Sequence, residues 1–133
     1  MTSMSPLAKV RLAGRVWSSF IRVHWALRRE SLPRAAERVG VAPRAWWAPL
    51  APLRLSRTVH RVLRVGPWRP RCLIGSMVLY RLLRAQGTDA ALVIGLPDHA
   101  EDHEAHAWVE VDGGDVGPPP GRGAHRELVR YPS

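Results

Sequence analysis

Cys72 and His106 are the residues of this chain whose types and spacing suit covalent chemistry. Cys72, the only cysteine, opens the apolar run RCLIGSMVLYRLLRAQG, and His106 lies in the later stretch EAHAWVEVDGG. A thiolate is a nucleophile, and an imidazole can take its proton and return it to a leaving group. Cys72 falls at the first turn of a predicted helix, where free backbone N–H groups and the positive helix end favour a thiolate. Arg69 and Arg71 add positive charge beside it, and the Cys72 backbone N–H is the natural donor to an oxyanion. Taken singly, a cysteine is more often a buried structural residue acting as a small hydrophobe, and a histidine more often a surface or satisfied core residue. Their order along the chain carries the chemical reading. No metal or cofactor is expected: His99 and His103 fall in a turn, His125 adds no recognisable ligand pattern, and one cysteine excludes a multi-cysteine site.

The elements that must hold this pair follow from periodicity and caps. Ser5-Pro6 starts a helix over residues 6–29, with Trp17, Phe20, Ile21 and Trp25 at helical spacing as its packed face. Ser31 and Pro33 start a second, ending at Gly40. Residues 41–53 are proline-broken; Trp46 and Trp47 there either form a recognition surface or pin the loop to the core, the second being the commoner role. A third helix is expected over 54–65, with Leu55, Val59, Val62 and Leu63 on one side, stopped by Gly66-Pro67. The cysteine helix begins at Pro70-Arg71-Cys72 and ends at Gly87, a left-handed cap.

Residues 89–96 read as a buried strand and 97–103 as an acidic turn. Residues 104–112 alternate, with Ala105, Ala107, Val109 and Val111 on one face and His106, Trp108, Glu110 and Asp112 on the other. Gly113-Gly114 is the expected hairpin turn, with a short strand around 115–117 after it. GPPPGRG ends regular structure, and the tail to Ser133 is expected to be a short helix or frayed. The class is therefore α+β: N-terminal helices, then a Cys-bearing helix packed on a small antiparallel sheet. Residues 1–53 form a basic helical region and 54–133 the remaining core.

The charge is uneven. Residues 1–71 carry 15 Lys/Arg against Glu30 and Glu37, while residues 72–133 carry five against nine acids. A basic face suits an acidic peptide, a nucleic acid or an anionic membrane, or is simply a solvated helical face. No nucleic-acid recognition motif is present, and no run of about 18 uncharged apolar residues suggests a transmembrane helix. The acid-free residues 1–29 resemble an amphipathic targeting segment, but their helical spacing favours a packed helix. The single cysteine fits a reducing compartment.

The order of Cys-helix, strand and His-strand in the setting A-H-A-W-V-E-V-D-G resembles the transglutaminase-like branch of the papain-type cysteine enzymes. More narrowly, it resembles the cysteine protease of lasso-peptide biosynthesis, which removes the leader from the precursor. The matching residues are R-C-L (71–73), VLYRLLRAQG (78–87), LVIG (92–95) and AHAWVEVDGGDVG (105–117), within roughly residues 55–117. The resemblance implies a transglutaminase-like/papain-like core over 54–133, with Cys72 as nucleophile and His106 as general base and acid.

It further implies an Asp that orients the imidazole, about where Pro118 stands; this chain departs from the family there. Asp112 shares a face with His106 but lies roughly 20 Å along the strand at ~3.3 Å per residue. Asp115 is the carboxylate that can return across the hairpin. A Cys–His dyad without an orienter still works, with a less fixed tautomer and a lower rate. Trp68 either walls the site or packs in the core, and Trp108 packs beside the pair. The implied partners are a precursor peptide, a small separate leader-recognition protein and an asparagine-synthetase-like cyclase, and the implied location of this protein is the cytoplasm. The basic front half, with Arg57, Arg61 and Arg64, is the expected docking surface for partner or leader. The departure at Pro118 leaves an alternative: a catalytically weak or inactive peptide-binding module of the same maturation complex.

Overall fold

The computed structural model describes residues 5–41, 44–47, 49–64, 72–97, 106–117 and 125–131. Among them are four helices, α1 (Pro6–Arg29), α2 (Leu32–Gly40), α3 (Pro52–Leu63) and α4 (Cys72–Ala85). Four strands follow, β1 (Ala90–Pro97), β2 (His106–Val111), β3 (Gly114–Gly117) and β4 (His125–Tyr131). The strands form one antiparallel sheet in the order β3-β2-β1-β4, so the class is α+β as expected.

Caps explain where the helices begin and end. Ser5 precedes α1, and its Oγ accepts the Ala8 N–H at 3.2 Å, with Pro6 in the first turn. Arg28 and Arg29 stand in the last turn, where cations complement the helix dipole. α4 closes on Gly87 at φ +86. Thr88 N–H reaches the Leu83 carbonyl at 2.9 Å and Gly87 N–H the Arg84 carbonyl at 3.1 Å, the paired bonds of a Schellman cap.

α4 is the axis of the molecule. Every residue from Gly75 to Leu83 is buried, because α1, α2 and α3 pack around it and β1 and β2 close its remaining side. A helix apolar around its whole circumference must be enclosed in this way. Burying Met77, Leu79, Leu82 or Leu83 is worth about 1.5–3 kcal/mol each. The core cluster runs without a break from Leu12 and Val16 of α1 through α2, α3 and α4 to Leu92 and Val109 of the sheet.

Several details differ from expectation. The buried stripe of α1 is Leu12, Val16, Ser19, Val23 and Ala26. Ile21 and Trp25, expected in the packed face, are 54% and 50% exposed. Smaller side chains let α1 approach the crowded α4, and the bulky residues are turned to the flank. Of the tryptophan pair, Trp47 is buried while Trp46 is half-exposed under the Arg11 guanidinium, 4.5 Å from its ring centre.

The β2–β3 turn lies one residue earlier than expected. Asp112 and Gly113, at φ 53 and 79, are its two central residues, and Gly114 already pairs with Val111. The tail forms β4, which pairs with β1 and makes β1 an interior strand. Gly66-Pro67, Trp68, Arg69, Arg71, the turn at 98–103 and Pro118 lie outside the described residues.

Gln86, just past α4, holds the irregular segment over the core. Its Oε1 accepts from Trp47 Nε1 at 3.0 Å and Leu50 N at 3.1 Å, while its Nε2 donates to the Leu50 carbonyl at 2.7 Å and Thr88 Oγ1 at 3.0 Å. Gln86→Ala would leave several part-buried groups unpaired at once. We expect a loss of about 2–3 kcal/mol in urea unfolding, against less than about 0.5 kcal/mol for Thr58→Ala on the exposed side of α3.

Candidate active site

Cys72 is the first residue of α4 and His106 the first of β2. Of these two residues the backbone alone is described. His106 is the register partner of Gly95 near the far end of β1, next to the irregularity between Ile94 and Gly95.

Ser76 ties the two elements together. It stands one helical turn after Cys72, on the same face of α4. Its buried Oγ–H donates to the carbonyl of Ala107, the residue after His106, at 2.9 Å. The first turns of α4 are therefore held against the opening residues of β2. Ser76 was not among the expected site residues. Its signal in the sequence is a single hydroxyl inside an otherwise apolar buried run, and such a group must find an acceptor within the fold.

The electrostatics at this end of α4 suit a thiolate. The first-turn N–H groups have no partner within the helix, and no acidic side chain lies in that turn. The positive helix end therefore acts unopposed by a carboxylate on its own first turn.

Trp108, two residues along β2 from His106, is buried and donates Nε1–H to Glu110 Oε2 at 2.8 Å. Glu110 Oε1 accepts from Arg130 Nη2 at 2.8 Å, and Arg130 also reaches Glu127 Oε1 at 2.7 Å. The network spans from β2 to β4 across β1, where Val93 pairs with both Trp108 and Arg130 and is fully buried. Burial pushes the Glu110 carboxyl up, but the Trp108 and Arg130 donors outweigh it and hold the group below its ordinary value of 4.5. The Glu127 and Glu110 carboxylates hold Arg130 above the usual guanidinium range.

Asp115 is placed at the other end of β2. It pairs with Glu110, four residues from His106 and so roughly 13 Å along the strand at ~3.3 Å per residue. Its Oδ1 accepts the Gly117 N–H at 2.7 Å. The Ser76–Ala107 bond joins the turn that follows Cys72 to the residue that follows His106, and Asp115 pairs toward the other end of β2. Among the described residues, no three His, Cys, Asp or Glu residues come together as a metal site, and no helix is long and apolar enough to cross a membrane.

This architecture is that of a known family. The family model of the transglutaminase-like superfamily matches residues 19–130, and the chain belongs to that superfamily. The match takes in the second half of α1 from residue 19, the other three helices, β1–β3 and nearly all of β4. The superfamily includes cysteine proteases. Comparison with curated proteins and with solved structures gave no significant match.

Two predictions follow from the bonds around the site. Ser76→Ala removes the tie to β2 and should lower stability by about 1–2 kcal/mol in urea unfolding. For Glu110, a depressed folded pKa means its stabilisation is complete above 4.5 and is lost as pH falls through the lower folded value. The stability gap between the wild type and Glu110→Gln should be widest above about pH 5 and narrow toward pH 3; a gap independent of pH would contradict the network.

Proposed function

We propose that this protein is a cysteine endopeptidase that removes the leader peptide from a lasso-peptide precursor. The observation that carries the reading is the tie between Ser76 and the Ala107 carbonyl, which sets the start of the Cys72 helix against the start of the His106 strand, in a superfamily that includes cysteine proteases. The motifs R-C-L, LLRAQG, LVIG and AHAWVEVDGG supply the narrower assignment by their resemblance to the lasso-peptide branch.

In this reading His106 takes the Cys72 thiol proton, and the thiolate attacks the carbonyl carbon between leader and core. The Cys72 backbone N–H, a first-turn donor, faces the developing oxyanion. The C–N bond then breaks, and His106 gives its proton to the core's departing amine. The leader remains as a thioester on Cys72. Water, deprotonated by His106, hydrolyses it to a leader carboxylate and restores the thiol.

The core, with its new amino terminus, passes to a separate asparagine-synthetase-like cyclase. A small leader-recognition protein presents the precursor. Asp115 lies far from His106 along β2, so a Cys72–His106 dyad is the working site of this proposal. Its imidazole tautomer is less firmly set than in a triad.

The test is mass spectrometry of the precursor after incubation with the leader-recognition protein and this protein. We expect cleavage by the wild type and a loss of about 10³-fold or more in both Cys72→Ala and His106→Ala. Equal cleavage by wild type and Cys72→Ala would overturn the nucleophile assignment. A folded protein that binds the precursor and leaves it intact would overturn the protease and favour a peptide-binding module, the reading to which Pro118 points where the family carries Asp.

A further inference from the structure

A second site lies on the helical side of the molecule, where α1, α2 and α4 enclose a pocket of about 390 Å³. Ile21, Arg22, Trp25 and Arg29 of α1, Arg38 of α2 and Arg81 of α4 line it. Such a volume falls within the range of ligand pockets, roughly 300–1,000 Å³.

Arg81 is the informative residue. Its side chain is 95% buried, being 5% exposed. Nη1 donates to the Val39 and Val41 carbonyls at 3.3 and 3.0 Å, but Nε is buried with no partner among the described residues. Burial, then the like charges of Arg22 and Arg15, lower its pKa from the usual guanidinium value. No carboxylate among the described residues forms an ion pair with it, although a buried guanidinium ordinarily has one. Glu30 also lines the pocket, but its carboxylate is engaged by Arg38 at 2.6 Å, and Arg29 lies over the Trp25 ring at 4.8 Å. Among the described residues, Arg22 and Arg81 have no carboxylate counter-charge.

We infer that this pocket binds a carboxylate side chain of an acidic peptide segment. A carboxylate seated beside the two guanidinium groups accepts charge-assisted hydrogen bonds and offsets the repulsion between them. The rim favours a peptide over a free inorganic anion. Ile21 and Trp25 are each about half exposed and Val41 more so, and an apolar residue next to the acidic one covers them. Arg81 lies nine residues from Cys72, about 13 Å along α4 at 1.5 Å per residue. The pocket is therefore separate from the candidate nucleophile, and the inference stands whether or not the protease reading does.

Isothermal titration of the full chain with the peptide acetyl-Leu-Glu-Trp-Glu-Leu-amide tests it, beside the same peptide with Gln for Glu. Wild type should bind the Glu peptide at least tenfold more tightly than the Gln peptide. Arg22→Glu, at an exposed position, should weaken binding at least tenfold, whereas Arg54→Glu, the same charge change at an exposed position of α3, should leave it within twofold; thermal melts establish that both variants fold. The inference is overturned by absence of binding, by equal affinity for the Gln peptide, or by equal losses in the two variants. Tighter binding of inorganic phosphate or of a short random DNA duplex than of the Glu peptide would equally overturn it, assigning the pocket to phosphate groups.

Discussion

The burial of α4 on every side is the constraint from which the rest of this structure follows. A helix with no solvent face along its middle turns needs partners around its full circumference. Three helices and two strands are what supply them. The same burial governs its polar side chains. Ser76 reaches the Ala107 carbonyl of β2, Arg81 the carbonyls of Val39 and Val41, Arg84 the carbonyl of Gly40, and Gln86 the backbone of Leu50. Bonds from α4 and from Gln86 just past it end on three parts of the surrounding chain: β2, the end of α2 and the segment at Leu50. Arg81 and Arg84 thereby supply donors to carbonyls left open at the end of α2.

A rigid, enclosed helix is also a means of placing its first residue. The N–H groups of the first turn of α4 have no partner within the helix and stand at its positive end, while the turns beneath it are locked by packing. Cys72 inherits its position from that packing, and His106 inherits its own from the β1–β2 register, where it meets Gly95. Ser76 couples the two frames. Across β1, the Trp108–Glu110–Arg130 network fixes β2 relative to β4. The strand that carries His106 is thus held from both sides.

Much of this was legible in the sequence because short-range chemistry specified it. Ser5-Pro6, Ser31 with Pro33, and Gly87 mark helix ends through local hydrogen bonds and φ preferences, and the helices lie where those signals put them. The α1 face was legible in part: Trp17 and Phe20 pack against the core as their spacing implied, while Ile21 and Trp25 lie on the flank because Leu12, Val16, Ser19, Val23 and Ala26 make the buried stripe. β4 escaped because HRELVRY alternates only in part and follows a proline–glycine stretch. Its strand identity comes from the open edge of β1, a tertiary fact. The order of Cys72 and His106 was readable; the remoteness of Asp115 was not, since it depends on the two-residue turn at Asp112-Gly113 that fixes the β2–β3 register.

In the proposed function, the start of α4 and the start of β2 together make Cys72 an activated thiol. The pH dependence of its alkylation by iodoacetamide measures this directly, since Cys72 is the only cysteine. We predict a rate that titrates well below the free-thiol value of about 8.5 in the wild type and shifts upward in His106→Ala. A Cys72 that titrates at or above about 8.5 in both proteins, or resists alkylation until the protein unfolds, would contradict the account.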